Sequence, residues 1–163
     1  GLTVYTAVLI SDTATPVWHE AYETLPFLFA ASGVAAAGAV GCAFAPPEQN
    51  AFARRMMIAG AIGTQIAERA MEHRLGPFLF EPYRVGKGGA FKRVSDFLCL
   101  AGGAIALAGG RNTMATRAAA ACIAMSGVFE RFAVSAAGKH SAKDPKYVVQ
   151  PQRERLERRG AAG

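Results

Sequence analysis

Six ionisable side chains stand inside or against otherwise apolar runs: Asp12, Glu68, Glu72, Asp96, Glu130 and Arg131. A charge within a hydrocarbon layer is costly, so each is a candidate for a proton path or a buried polar contact. Asp12 lies about one turn before Pro16, where it either caps a helix end at an interface or joins a proton path. Glu68 and Glu72 share one helical face at i, i+4, and Arg69 and His73 share the next. Arg69 and Glu72 are also spaced for a local ion pair, so a solvated helix end explains the group as well. Glu68 sits about four to six residues inside the apparent helix end, roughly 6–9 Å along the axis, and is the better candidate for burial. Asp96 follows Lys92 and Arg93 by about a turn, a position where a carboxylate favours a helix N-terminus. Glu130 and Arg131 follow the uncharged run 118–129. Adjacent residues diverge by about 100° around a helix, so each is expected to meet a partner on another helix. That arrangement favours a buried interhelical pair or a headgroup contact over direct proton transfer.

Redox chemistry needs other residues. A haem between helices needs axial imidazoles or thioethers at matched depth. The histidines are His19 in a loop, His73 at a helix end and His140 near the C-terminus. Cys42, Cys99 and Cys122 are odd in number and widely spaced within Ala/Gly-rich runs, which argues against a disulfide framework or a zinc site and for small buried apolar side chains. The stretch Gly86-Lys87-Gly88-Gly89 lacks the rest of a P-loop. No cofactor is expected to be bound by this chain itself.

The elements that carry these residues are apolar segments separated by short polar loops. Residues 25–45, "LPFLFAASGVAAAGAVGCAFA", hold no charge and meet the length of about 20 residues that a transmembrane helix needs. Pro26 falls in the first turn, and Pro46 and Pro47 stop the helix. Residues 52–74, 91–110 and 114–136 repeat the rhythm less cleanly, and residues 2–14 read as the end of a preceding helix. The expected fold is all-α: a polytopic membrane helix bundle of about four complete transmembrane helices plus the end of an earlier one. Residues 1–137 form the bundle on this reading, and 138–163 a basic cytoplasmic tail. Gly33, Ala37 and Gly41 line one face at i, i+4, i+8, and small residues let helices approach closely in lipid. That face is expected to be buried, with Phe27, Phe29 and Phe44 nearer the ends or the lipid.

The chain has 163 residues, 52% hydrophobic and 18% charged, with 18 Lys and Arg against 12 Asp and Glu. The basic residues flank apolar runs and lack the aromatic interleaving of a single-strand binder, so membrane lipid is the expected partner and not nucleic acid. Lys and Arg concentrate in loop 75–90 and beyond residue 138, which puts the C-terminus in the cytoplasm by the positive-inside rule. The chain opens on an apolar helix end without an initiator Met, and reads as a piece whose N-terminal part is absent.

Both ends carry a resemblance. Tyr5-Thr6-Ala7, Pro16-Val17-Trp18 and Leu25-Pro26-Phe27-Leu28-Phe29 resemble the helix end, Pro-x-Trp turn and Leu-Pro-x-x-Phe helix of the NrfD family, the membrane subunit of polysulfide-reductase-like complexes. Ala7 departs from that pattern. Near the other end, Arg131, Ala137-Gly138, Ser141-Ala142 and Asp144-Pro145 resemble the family's closing pattern. The resemblance implies the second of two four-helix bundles in a subunit of the bacterial cytoplasmic (inner) membrane. It implies a quinone (menaquinone or ubiquinone) as redox partner of the complete subunit, whose pocket lies mainly in the first bundle. It also implies a ferredoxin-like iron–sulfur partner subunit and, in many members, a molybdopterin catalytic subunit. The competing readings are a non-redox polytopic membrane protein, such as a small transporter or scaffold, and a soluble Ala-rich helical bundle. Residues 25–45 weigh against the last.

Overall fold

In the computed structural model, residues 2–46, 48–109 and 112–160 are described, and among them every regular element is helical. The order is α1 (Leu2–Ser11), α2 (Pro16–Glu20), α3 (Leu25–Phe44), α4 (Ala51–Phe80), a 3-10 turn (Glu81–Tyr83), α5 (Gly86–Ala108), α6 (Thr113–Lys143) and α7 (Lys146–Gly160). α3 starts with proline in its first turn, where the missing N–H costs nothing. Asn112 caps α6 by accepting hydrogen bonds from the Met114 and Ala115 amides at 2.9 and 3.2 Å. α4 breaks at Gly76, whose φ of 67° and ψ of 176° leave helical geometry just before Pro77. Proline disfavours helix in the residue before it, and glycine takes the positive φ without a Cβ clash.

The long helices α3 to α6 alternate in direction. Gly38 of α3 lies against Met57 of α4, Ala35 against Gly60, and Ala31 against Gly63, a register that descends one helix while climbing the other. α5 and α6 pair likewise, with Gly102 against Ile123 and Gly88 against Ala137. At Gly38 a Cβ would fall 2.3 Å from the Met57 amide nitrogen, and at Gly60 the same distance from that of Ala35. Backbone here packs on backbone, which only a missing side chain permits.

Two helices, Leu25–Phe44 and Thr113–Lys143, are long and apolar enough to cross a membrane. α4 and α5 are comparably long, but their charged residues dilute their apolar character. The exterior carries many large apolar side chains, including Phe27, Phe44, Phe97 and Leu107, each more than 60% exposed.

One expectation needs correction, and two others gain detail. The close face of α3 is set by Ala35, Gly38 and Cys42, one step around from the expected stripe. Gly41 does approach Ala53, but Gly33 is half-buried and Ala37 exposed. Spacing alone points to that stripe, whereas the facing residues of α4 select which small residues are covered. Among the aromatics, Phe27 and Phe44 are exposed, and Phe29, near the start of α3, is 5% exposed and belongs to the core at that end. Beyond residue 137, α6 continues to Lys143, with Gly138 and Ser141 buried, and residues 146–160 form α7.

Candidate functional site

The interior divides along the helix axes. One apolar cluster joins Ala35, Ala39, Cys42, Met57, Ala61, Cys99, Ala106 and Ile123. A second joins Leu25, Leu28, Phe29, Met71, Leu75, Phe80, Tyr83 and Val134. Between them, every long helix contributes buried polar side chains: Ser32 from α3, Thr64 and Glu68 from α4, Ser95 from α5, Ser126 and Glu130 from α6. The antiparallel register brings these positions to one level, although they span almost 100 residues of sequence.

Most hydroxyls in this layer are tied to backbone carbonyls. Ser95 Oγ donates to Ser126 O at 2.9 Å, Thr64 Oγ1 to Gly60 O at 2.9 Å, and Ser32 Oγ to Phe29 O at 3.3 Å. Glu68 is 7% exposed and takes its counter-charge from Lys92 on α5, with Nζ 3.2 Å from Oε2. Lys92 Nζ also lies 2.9 and 2.8 Å from the two Asp96 oxygens. One ammonium thus bridges two carboxylates on different helices, a geometry in which the attraction is partly shielded from solvent. Gln65 Nε2 approaches the same Glu68 oxygen at 3.5 Å.

Glu130 is buried at 3% exposure, and both of its carboxylate oxygens are without a hydrogen-bond partner. The charges of Glu68, Arg131 and Lys92 act on it, and the Ser32 hydroxyl stands within its reach. The buried Tyr83 hydroxyl is likewise unpartnered, and both Glu130 and Glu68 act on it. A buried carboxyl without a donor is costly when ionised. It is also free to accept or release a proton without first breaking a bond. The layer therefore holds a charge-compensated acid, Glu68, and an uncompensated one, Glu130.

The expected residues scatter around this centre. Glu68, Asp96 and Glu130 are brought to it. Glu72 is not: it pairs at the surface with Arg84, while Arg69 is exposed. Asp96 serves the bridge through Lys92 and does not act as a bare helix-terminus carboxylate. Arg131, expected in a buried interhelical pair or a headgroup contact, is exposed, with Phe29 of α3 as its neighbour on another helix. Its Nη1 donates to Gly127 O at 2.7 Å and its guanidinium stands 5.6 Å from the Phe29 ring centroid. Glu130 and Arg131 diverge around the helix as expected, but the turn that buries the acid leaves the cation outside. Asp12 is exposed at the end of α1, far in chain position from the acids and beside α7 across a shallow cleft. Lys92 and Tyr83 were missed, although Lys92 and Asp96 had the i, i+4 spacing of a helical ion pair.

The loops at the nearer end lock together. Trp18 Nε1 donates to Val134 O at 2.9 Å. Gly138 is cradled against the indole: a Cβ there would come within 2.1 Å of Trp18 Cε2. Tyr147 of α7 is 1% exposed, its ring tilted against Phe78 at 5.3 Å, and it donates to Glu81 at 3.0 Å. Lys146 reaches the same carboxylate oxygen at 3.0 Å. Hydrogen bonds from Lys146 and Tyr147 hold the Glu81 carboxyl below its usual range, and the bond to Glu81 raises Lys146 in turn.

Among the described residues, no three His, Cys, Asp or Glu side chains gather as a metal site would require. No protein-family model, curated protein or solved structure matches the chain.

Proposed function

We propose that this chain forms a four-helix bundle of a quinone-linked membrane anchor subunit, in the manner of the NrfD family, joining an iron–sulfur partner to the quinone pool. The observation that carries the reading is the contact of Trp18 with Val134 and Gly138. The two stretches that resemble the family lie at opposite ends of the sequence. Here they form one packing unit, the Pro-x-Trp turn seated in the small-residue gap of the Ala-Gly pair. Unrelated chance matches have no reason to meet in this way.

The distribution of polarity supports a membrane setting. Large apolar side chains face outward on all four long helices, and carboxylates lie inside, the reverse of a water-soluble bundle. On this reading α3 to α6 each cross the bacterial cytoplasmic membrane and α7 lies on the cytoplasmic side, where Lys and Arg are denser. Glu130 and the Glu68–Lys92–Asp96 bridge hold and pass protons within the bundle, while electrons move between the partner subunit and quinone. No residue of this chain is assigned as a quinone ligand.

A non-redox transporter is the second reading, favoured by the polar layer that crosses all four helices. Purification of the full-length protein from its native membranes in mild detergent separates the two. The anchor reading expects a ferredoxin-like subunit, with or without a molybdopterin subunit, to co-purify in fixed ratio with quinone-dependent turnover. Glu130→Gln in that complex should slow turnover by about 10²-fold without releasing the partner. A protein that purifies alone, shows no quinone chemistry and moves a solute in proteoliposomes would overturn it.

A further inference from the structure

We propose that the cleft between the first turns of α5 and the last turns of α6 binds the headgroup of an anionic diacyl phospholipid. This inference rests on the membrane setting proposed above, but not on the redox reading. The cleft has a volume of about 490 Å³. Its polar walls come from Lys87 on one side and from Lys139, His140 and Lys143 on the other, and its floor from Phe91 and Phe132.

Three features point to a phospholipid. Charge is the first. The neighbouring acids Glu81 and Asp144 are engaged by Lys146, and among the described residues no carboxylate pairs with Lys87, Lys139 or Lys143. Three cations therefore face one opening without internal neutralisation. The second is the start of α5: no side chain caps it, and Val85, Lys87 and Gly88 of that first turn line the same cleft. The third is the order of polarity along the helices. Phe132 lies eleven residues before Lys143, about 16 Å along the axis, and Phe91 lies one turn inside Lys87. The two phenyl rings are 5.6 Å apart, and Phe132 is half exposed on the flank of the bundle. Cations thus stand at the mouth and aromatic surface runs from there toward the apolar exterior. That order matches a phosphate at the interface with acyl chains descending beside it. A free phosphate would satisfy the cations but not the aromatic floor.

Native mass spectrometry of the detergent-purified full-length protein, offered phosphatidylglycerol and phosphatidylcholine of the same chains, tests this. Phosphatidylglycerol should be retained about tenfold or more over phosphatidylcholine. The triple variant Lys87→Gln, Lys139→Gln, Lys143→Gln should bring that ratio to about one, whereas Arg69→Gln, Arg93→Gln, Arg117→Gln should leave it unchanged. Excess inorganic phosphate should not strip the lipid. Phe132→Trp supplies a readout that keeps every charge: brominated phosphatidylglycerol should quench it more than brominated phosphatidylcholine. Equal retention of the two lipids, equal loss in both triple variants, equal quenching, or displacement by phosphate would each overturn the proposal. If the protein stays in its membranes after an alkaline wash but shows no lipid preference, the membrane setting stands and this site does not.

Discussion

The two ends of the bundle are packed by opposite means. At the end near the α3–α4 and α5–α6 connections, the core is Ala, Gly and Cys with Met57 and Ile123, and backbones nearly touch at Gly38 and Gly60. At the other end the core is Leu, Phe, Tyr and Trp, and short elements fold over it: α2, the 3-10 turn and α7. The first end is held by what the side chains lack, the second by what they fill. The polar layer lies where one regime gives way to the other. The comparison teaches that a size change should harm each end in opposite directions.

The largest effect is expected for Gly38→Leu, which drives four carbons into the Met57 backbone. Overpacking of this kind costs about 3 kcal/mol or more. Thermal unfolding in detergent, followed by loss of the monodisperse peak, should show Gly38→Leu well below wild type and Gly41→Leu between them, since Gly41 meets only the Ala53 side chain closely. Equal stability of Gly38→Leu and wild type would break the backbone-contact picture.

Next comes the boundary layer. Lys92→Leu leaves Glu68 and Asp96 without their shared cation and should destabilise by about 3 kcal/mol, because breaking a buried pair strands its charges. Glu130→Leu removes a carboxyl that has no partner, and should be neutral or stabilising. Denaturant midpoints of the two variants side by side sharpen the contrast, and similar losses would mean that Glu130 is bonded after all.

At the aromatic end, Trp18→Phe keeps a ring but loses the hydrogen bond to Val134, an expected cost of about 1 kcal/mol. Gly138→Ala should cost more in the wild-type background than beside Trp18→Ala, where the indole is gone. A double-mutant cycle measures that coupling, and strict additivity would show that the cradle does not matter.

The smallest effect concerns the seat of α7. The Glu81 carboxyl is held below its usual value of 4.5 by bonds present only in the docked state. Its contribution is therefore complete above that value and is lost as pH falls through the lowered one. Lys146, raised above 10.5, contributes fully below that value and is lost above it. A nitroxide on Val148→Cys should thus report an immobile α7 at neutral pH and sharper EPR lines under strong acid. Unchanged lines below pH 4 would show that Tyr147 burial alone holds the segment.

Much of this was legible from the order of residues. The α3 boundaries followed from the charge-free run and its prolines, and the four long helices from the spacing of polar loops. Burial of Glu68 was legible because it stands about four to six residues inside the apparent helix end, deeper than Glu72. What escaped was azimuth. Whether Gly33 or Gly38 faces α4, and whether Glu130 or Arg131 turns inward, depends on the rotation of each helix about its axis. That rotation is fixed by facing helices, and Ala-rich segments with apolar residues on every side carry little periodic signal to betray it. Lys92 was hidden for another reason: its partner Glu68 lies 24 residues earlier, across a turn, and only the helical neighbour Asp96 was within reach of local spacing.

On the membrane reading proposed above, the Lys92 bridge bears on how such a chain enters a bilayer. α4 and α5 are joined by a short connection that includes Glu81–Tyr83 and then Arg84 and Val85. Neither helix is apolar enough to partition by itself, and each brings its own charge. Synthesised in succession and folded back as a hairpin, the pair arrives with its ammonium already between two carboxylates. Their polarity is then cancelled before either segment must face lipid alone. A translocation machine would therefore have to hold α4 until α5 emerges, so the interval between two segments of nascent chain becomes a folding variable in its own right.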